Sequence, residues 1–163
     1  MNRPASHIPS SQANSAMPRT AKTTPIEREL QEICRQYQVD ILYAFGSRAK
    51  EALAMLRGEI DTLSDRPSDL DIGAKPNRAA SWGVWDKVGL AQDLEDLFHI
   101  HRVDLVSLAD AGPYLAAEII AGERLFADDS YLADEYDLYI WRRVADHEFL
   151  EKERLRHVLR IAS

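Results

Sequence analysis

The sequence has 163 residues and a formal net charge of −7, with 45% hydrophobic and 29% charged residues. This length fits one domain with a buried core, and the composition is that of a soluble globular protein. The acidic balance disfavours DNA or RNA as a main partner, because nucleic-acid binding needs a broad basic surface. It remains compatible with a local basic cradle for one triphosphate and with a basic protein partner.

Membrane and secretory classes are also disfavoured. No apolar run approaches the roughly 20 residues that a membrane-spanning helix needs, and the N-terminal stretch lacks the apolar region of a secretory signal. The single cysteine, Cys34, rules out an intrachain disulfide framework, and we predict that it is buried on the apolar side of a helix. A reducing cytoplasm is therefore the expected compartment.

The chain divides into a polar tail and one domain. Residues 1–24 are rich in Ser, Ala, Pro, Thr and Asn, carry three cations and no acids, and are predicted to be disordered. The domain spans 25–163, with a core over 25–128 and a C-terminal helical segment over 129–160. The first elements of the core are a helix that starts with a capping box at 24–27, then a strand and a second helix.

The later elements follow from hydrophobic periodicity. The predicted spans, in chain order, are strand 39–45, helix 47–56, polar loop 58–67, strand 68–74, helix 83–99, strand 101–108, helix 114–120, edge strand 124–127 and helix 129–160. Helices that alternate with strands in this way predict an α+β class, a small mixed β-sheet flanked by helices. Near the start of the last helix, Asp134, Glu135 and Asp137 are predicted to form a solvated face.

Two carboxylates share one face of the strand over 68–74. Side chains alternate along a strand, so Asp69 and Asp71 point the same way, roughly 6.5–7 Å apart at Cα, while Leu70 and Ile72 point into a core. Like charges side by side on a strand destabilise it. The arrangement becomes reasonable when cations lie between the carboxylates, and such oxygen ligands select Mg²⁺ or Mn²⁺.

A third acid follows the same logic. Asp104 lies between Val103 and Leu105, which are predicted to pack inward, and a charge in such an apolar strand is costly if it is buried unpaired. Placed beside the first two acids, it completes a three-carboxylate group. Two metal ions held there can contact both the attacking and the leaving oxygens of a displacement reaction.

The turn from the first strand into the second helix indicates a phosphate site. Gly46 lets the backbone approach a ligand closely, and the helix that begins at Ser47 offers unpaired backbone N–H groups and a positive dipole end. The Ser47 hydroxyl and Arg48 could add donors. Each fragment alone has an ordinary explanation, as surface charge, a helix N-cap or a salt bridge. Together and in this order, they favour a metal and nucleotide site.

The three fragments 46–49 (GSRA), 68–72 (SDLDI) and 102–106 (RVDLV) resemble the pattern of DNA polymerase β-type nucleotidyltransferases. The small size is nearest to the minimal nucleotidyltransferases, antitoxins that pair with HEPN ribonuclease toxins, and the resemblance covers about 25–160. It implies metal-binding and catalytic roles for Asp69, Asp71 and Asp104. It also implies that Gly46 and Ser47 hold the triphosphate, and we predict that Arg48 and Ser68 bind the nucleotide with them.

The resemblance further implies transfer of AMP from ATP onto a hydroxyl of the toxin, typically a tyrosine, with Mg²⁺ or Mn²⁺ as cofactor and Asp104 helping to activate the hydroxyl. The long C-terminal helix is similar to one that contacts the toxin in that family. The chain departs from the pattern in Lys50 and Glu51, where a glycine is common, and in a longer connection over 47–69. Two alternatives stay open: transfer to a small molecule such as an aminoglycoside, and neutralisation of a toxin by binding alone.

Overall fold

The computed structural model describes the backbone of residues 23–161 and the side chains of 23–157. The elements, in chain order, are α1 (Pro25–Gln36), β1 (Val39–Phe45), a 3₁₀ turn (Gly46–Arg48), α2 (Ala49–Leu56), β2 (Leu70–Pro76), α3 (Val84–Phe98), β3 (Val103–Ser107), α4 (Pro113–Ile120), β4 (Glu123–Ala127) and α5 (Ser130–Ile161). Every predicted helix and strand is present, although β2 and β3 each begin two residues later than predicted. The predicted disorder of the N-terminal tail concerns residues that lie, except for the last two, outside the described part of the chain.

The four strands form one mixed sheet in the order β3-β2-β1-β4. Strand β1 is antiparallel to both of its neighbours, whereas β2 and β3 are parallel. The parallel pair requires a crossover connection, which α3 provides. The structure therefore confirms the predicted mixed sheet flanked by helices, with β4 at one edge.

The two faces of the sheet pack against different helices because side chains alternate along each strand. On one face, Leu42, Leu70 and Ile72 are fully buried in a cluster with residues of α1, α2 and α3, and Cys34 lies there as predicted. Burial raises the pKa of the Cys34 thiol well above its usual range. On the other face, Tyr43 and its neighbours pack against α4 and α5.

Thr24 links the start of α1 to the end of α2. Its hydroxyl oxygen accepts a hydrogen bond from the Glu27 backbone N–H at 3.1 Å, and its own N–H donates to the Glu27 carboxylate at 3.3 Å, which is the predicted capping box. The same hydroxyl donates to the carbonyl of Leu56 at 2.6 Å. The cap therefore also fixes the point at which the long loop over 57–69 leaves the body.

Helix α5 is anchored to the sheet by a polar network that the sequence analysis missed. The buried Tyr43 hydroxyl donates to the Asp137 carboxylate, and Arg124 of β4 donates to Asp137 at 2.6 Å and to Asp134 at 2.8 Å. The prediction that Asp137 is solvated is therefore wrong, because β1 and β4 present a hydroxyl and a guanidinium to it. Burial, followed by the hydrogen bond to Asp137, raises the pKa of Tyr43 far above its usual range.

The two halves of α5 have different surroundings. Ala133 and Ile140 are fully buried in the cluster on that face of the sheet, whereas every described side chain from Ala145 to His157 is exposed. A helix of 32 residues is about 48 Å long, so its second half extends well beyond its contacts with the sheet. Within residues 23–161, no helix is both long and apolar enough to cross a lipid bilayer.

We predict that Tyr43→Phe lowers the free energy of unfolding by about 1–2 kcal/mol, because it removes the buried hydrogen bond to Asp137 while keeping the ring. Chemical denaturation monitored by circular dichroism would measure the loss. Tyr131→Phe is the matched control, since Tyr131 is 69% exposed. Equal stability of the two variants would contradict the anchoring role of the network.

Candidate functional site

The predicted carboxylates of β2 and β3 lie on neighbouring strands in matching register. Asp71 is paired with Asp104 across the parallel ladder, which places their Cα atoms about 4.8 Å apart on the same face. Leu70 and Ile72 are fully buried on the opposite face, as the alternation predicted. The antiparallel partner of Asp71 is Phe45, the last residue of β1, so the carboxylates lie where that strand ends.

Arg102 connects the first and third acids. Its guanidinium lies 3.5 Å from the carboxylate of Asp69 and 3.0 Å from that of Asp104. Strand β2 begins at Leu70, two residues later than predicted, so Asp69 immediately precedes the strand instead of lying within it. One exposed guanidinium therefore reaches both carboxylates and offsets their mutual repulsion.

The arrangement of the acids bears on the expected metal site. Residues 23–157 contain no group of three or more His, Cys, Asp or Glu side chains placed to hold a metal ion. Arg102 contacts the carboxylates of both Asp69 and Asp104. The donor chemistry fits a divalent cation, because the carboxylates of Asp71 and Asp104 converge on one face of the sheet, and metal binding by Asp69, Asp71 and Asp104 stays a prediction.

The electrostatics of Asp71 support this convergence. Burial raises its pKa, and the nearby charges of Asp104, Asp69 and Glu118 raise it further. Glu118 belongs to α4, which packs over this face of the sheet, and the sequence analysis did not single it out. No local pattern could have revealed it, since its proximity depends on how α4 crosses the strands. Asp71 is thus the most crowded carboxylate of the three.

The turn after β1 touches this carboxylate directly. Gly46 has a φ of +70°, a conformation that residues with a side chain rarely adopt, and a Cβ atom there would stand 2.6 Å from Oδ2 of Asp71. Glycine therefore meets two requirements at once, the backbone conformation and the close approach of the carboxylate. The structure brings the predicted phosphate turn and the predicted metal-binding strand into contact.

A cavity of about 380 Å³ adjoins the turn. It is lined by Gly46, Ser47, Ala49, Lys50, Glu118, Ala121, Gly122 and Glu123. The ammonium group of Lys50 is a cation that the sequence analysis recorded only as a departure from the family pattern. The start of the helical turn and Lys50 suit phosphate oxygens on their side of the cavity, whereas Glu118 and Glu123 make its other side negative.

Arg48 and Ser68, two predicted nucleotide-binding residues, lie elsewhere and do not line this cavity. The side chain of Arg48 is buried, and its guanidinium donates to the backbone carbonyls of Ser68, at 2.8 Å, and Ser64. The hydroxyl of Ser68 is also buried, without a hydrogen-bond partner among the described residues. Their contact with a nucleotide stays a prediction, and only Gly46 and Ser47 of the predicted four line the cavity.

We predict that Asp71→Asn raises the melting temperature at pH 7.5 by about 2–4 °C, corresponding to about 1 kcal/mol. A carboxyl whose pKa is higher in the folded than in the unfolded state makes the fold less stable as the pH rises through that interval. The gain should therefore shrink toward zero near pH 3, where both states are protonated. Differential scanning calorimetry across this range would measure it.

Asp128→Asn is the control for this measurement, because the exposed Asp128 follows β4 at the opposite end of the sheet from Asp71. It should change the melting temperature little at either pH. A loss of stability in Asp71→Asn at pH 7.5 would contradict the crowding of charges described above.

Solved structures of toxin–antitoxin complexes share this fold. A toxin–antitoxin complex with AMP-PNP matches with a TM-score of 0.54 at 20% identity, over 84% of this chain and 98% of the matched chain. The tri-AMPylated Shewanella oneidensis HEPN toxin in complex with MNT antitoxin matches with a TM-score of 0.51 at 20% identity, over 85% of this chain and 97% of the matched chain. The MntA–HepT complex matches with a TM-score of 0.51 at 19% identity, over 85% of this chain and 97% of the matched chain.

Sequence comparison adds the family. No curated protein matches the chain significantly. The family model described as polymerase beta, nucleotidyltransferase, matches residues 28–131, which include the glycine–serine turn and all three predicted acids. This match covers more than half of the chain, and the chain belongs to the polymerase β-type nucleotidyltransferase family.

Proposed function

We propose that this protein is a minimal nucleotidyltransferase antitoxin that transfers AMP from ATP to a tyrosine hydroxyl of a HEPN toxin and thereby neutralises it. The observation that carries the proposal is the pairing of Asp71 with Asp104 directly beside the Gly46 turn. Family membership supports nucleotidyl transfer in general. The fold is shared with an MNT antitoxin in complex with a tri-AMPylated HEPN toxin and with a toxin–antitoxin complex that contains AMP-PNP, which supports ATP and a toxin as the substrates.

The proposed reaction is an in-line displacement at the α-phosphorus of ATP. The oxygen of the acceptor hydroxyl forms a bond to the α-phosphorus, the bond from that phosphorus to the bridging oxygen of the β-phosphate breaks, and pyrophosphate leaves. The proton of the hydroxyl passes to the carboxylate of Asp104, which is half exposed and lies beside Asp71. A divalent cation held by Asp69, Asp71 and Asp104 would neutralise charge on the triphosphate.

The remaining contacts of the triphosphate follow from the cavity beside the turn. Backbone N–H groups at Gly46 and Ser47 would donate to phosphate oxygens, and Lys50 would offset their charge. Glu118 lies on the same cavity and would repel phosphate, so it confines the triphosphate to the side of the turn. Because ATP is the substrate, we place the reaction in the cytoplasm.

The second half of α5 is the proposed contact surface for the toxin. Its described side chains are all exposed, and they include the large apolar groups of Phe149, Leu150 and Leu155. Exposed apolar groups grouped on one helix are typical of protein–protein interfaces. A stable heterocomplex would also hold the acceptor tyrosine near the site, which raises its effective concentration.

The proposal is tested by incubating the purified protein with α-³²P-labelled ATP, Mg²⁺ and the product of the adjacent reading frame, which the proposal expects to be a HEPN protein. We predict that label appears on the HEPN protein and that Asp71→Asn lowers the rate of labelling by at least about 100-fold. Asp128→Asn is the matched control, since it removes an exposed carboxylate at the other end of the sheet, and it should label at the wild-type rate.

Two outcomes would contradict the proposal. Protection from the toxin that persists in Asp71→Asn, with no label on the toxin, would show neutralisation by binding alone. Label that moves to an aminoglycoside and not to the HEPN protein would show a small-molecule nucleotidyltransferase.

A further inference from the structure

Arg48 is a buried charged side chain that the proposed reaction does not use. Only 4% of it is exposed, although it follows the phosphate turn directly. Burial of a guanidinium is costly unless hydrogen bonds and an opposite charge compensate for the lost water. Its partners therefore show what the protein gains from burying it.

The carbonyls that accept hydrogen bonds from Arg48 belong to one short region. Nη1 donates to the carbonyl of Ser68 at 2.8 Å, and Nη2 donates to the carbonyl of Ser64. Glu51, one helical turn further along, lies 3.7 Å from Nη2, and its carboxylate accepts hydrogen bonds from the N–H of Ser64 at 3.2 Å and from its hydroxyl at 2.8 Å. Arg48 and Glu51 together bind the last part of the loop, at Ser64 and Ser68.

The position of this region in the chain matters for the site. Ser68 immediately precedes Asp69, and the loop over 57–69 between α2 and β2 has no helix or strand of its own. A segment of that length would let its end shift unless something held it. Arg48 holds it from the same turn that carries Gly46 and Ser47, so one side chain links the phosphate turn to the first carboxylate.

We propose that Arg48 is a positioning residue for nucleotidyl transfer, which fixes the carboxylate of Asp69 relative to the Gly46–Ser47 turn by binding the carbonyls of Ser64 and Ser68. This inference rests on the proposed function, because it concerns the efficiency of the same reaction. It assigns Arg48 no contact with ATP. The planar fork of arginine suits two carbonyls at once, whereas a lysine could satisfy only one of them.

The test compares Arg48→Met and Arg48→Lys with Arg66→Met. Arg66 is the matched control, since it also contacts Glu51, at 3.5 Å, but is 58% exposed. Steady-state labelling with α-³²P-labelled ATP gives kcat and KM, and hydrogen–deuterium exchange reports on the amides of residues 64–70. Arg48→Lys keeps the positive charge and the aliphatic part of the side chain, so it can replace Arg48→Met in the test if that variant does not fold.

For both Arg48 variants we expect kcat to fall by about 10–100-fold, with KM for ATP changed by less than about threefold, because misplacement of a reacting group slows the chemical step. We also expect faster exchange at 64–70. Arg66→Met should leave kcat and exchange near the wild-type values. A raised KM for ATP with unchanged kcat would reveal a phosphate contact and overturn the proposal.

Two further outcomes separate the possible failures. A lower melting temperature, with kcat unchanged at temperatures below the melting point, would show that Arg48 serves stability alone. This result would overturn the positioning role. If the wild-type protein transfers no AMP, the proposed function fails, and the exchange measurement then decides the inference by itself. Unchanged exchange at 64–70 in Arg48→Met would in that case overturn it.

Discussion

The organising constraint of this structure is the repulsion among carboxylates that meet on one face of the sheet. Asp71 and Asp104 face each other across a parallel ladder, and Asp69 and Glu118 lie close enough to raise the pKa of Asp71. Like charges in such proximity oppose folding, so the rest of the domain must supply the free energy that keeps them together. The hydrophobic cluster on the opposite face of the sheet contributes to it, since it buries Leu70 and Ile72 fully and Val103 almost fully.

Three residues near the carboxylates make the proximity of these charges tolerable. Gly46 removes a side chain from the place that the Asp71 carboxylate occupies, Arg102 offers a positive charge to Asp69 and Asp104, and Arg48 holds the backbone just before Asp69. The exposed Arg102 is held by ion pairs with Asp69 and Asp104 and by a hydrogen bond to Asp104, and it can leave at little cost, because exposed ion pairs contribute little. The buried Arg48 cannot leave at little cost, since its departure would leave the carbonyls of Ser64 and Ser68 and its own guanidinium without these hydrogen-bond partners. The site therefore combines one movable cation with one fixed cation.

The sequence was sufficient for the fold because local signals and long-range packing agree. Strand β1 was predicted to its exact bounds, since an apolar run followed by Gly46 allows few alternatives, and the capping box gave the start of α1. The burial of Leu70 and Ile72 on the face opposite Asp71 followed from the period of two along a strand. Asp104 was expected beside Asp69 and Asp71, but its pairing with Asp71 was not predicted, because the register of a parallel ladder depends on a crossover and not on any local pattern.

What the sequence could not provide are contacts between residues far apart in the chain. Lys50 and Glu118 line one cavity, although 68 positions separate them, and only the packing of α4 on the sheet brings them together. Arg48 was assigned to phosphate because an arginine beside a glycine–serine turn usually suits an anion. The structure shows its guanidinium bound to carbonyls of the loop over 57–69, which could not be foreseen because that loop has no regular pattern to interpret.

Helix α5 combines a half that is anchored to the sheet with an exposed half, which the proposed function assigns to the toxin. Its first half is fixed by the buried Ile140 and by the contacts of Asp137 with Tyr43 and Arg124, so its direction relative to the sheet is set within the domain. Its second half then extends as an exposed helix whose orientation is inherited from the first. A surface presented in this way is pre-organised, and a partner that binds it need not spend binding free energy on fixing its direction. Because the anchoring strand β1 also ends at Phe45, next to Gly46, one strand contributes both to the direction of the helix and to the position of the turn beside the carboxylates.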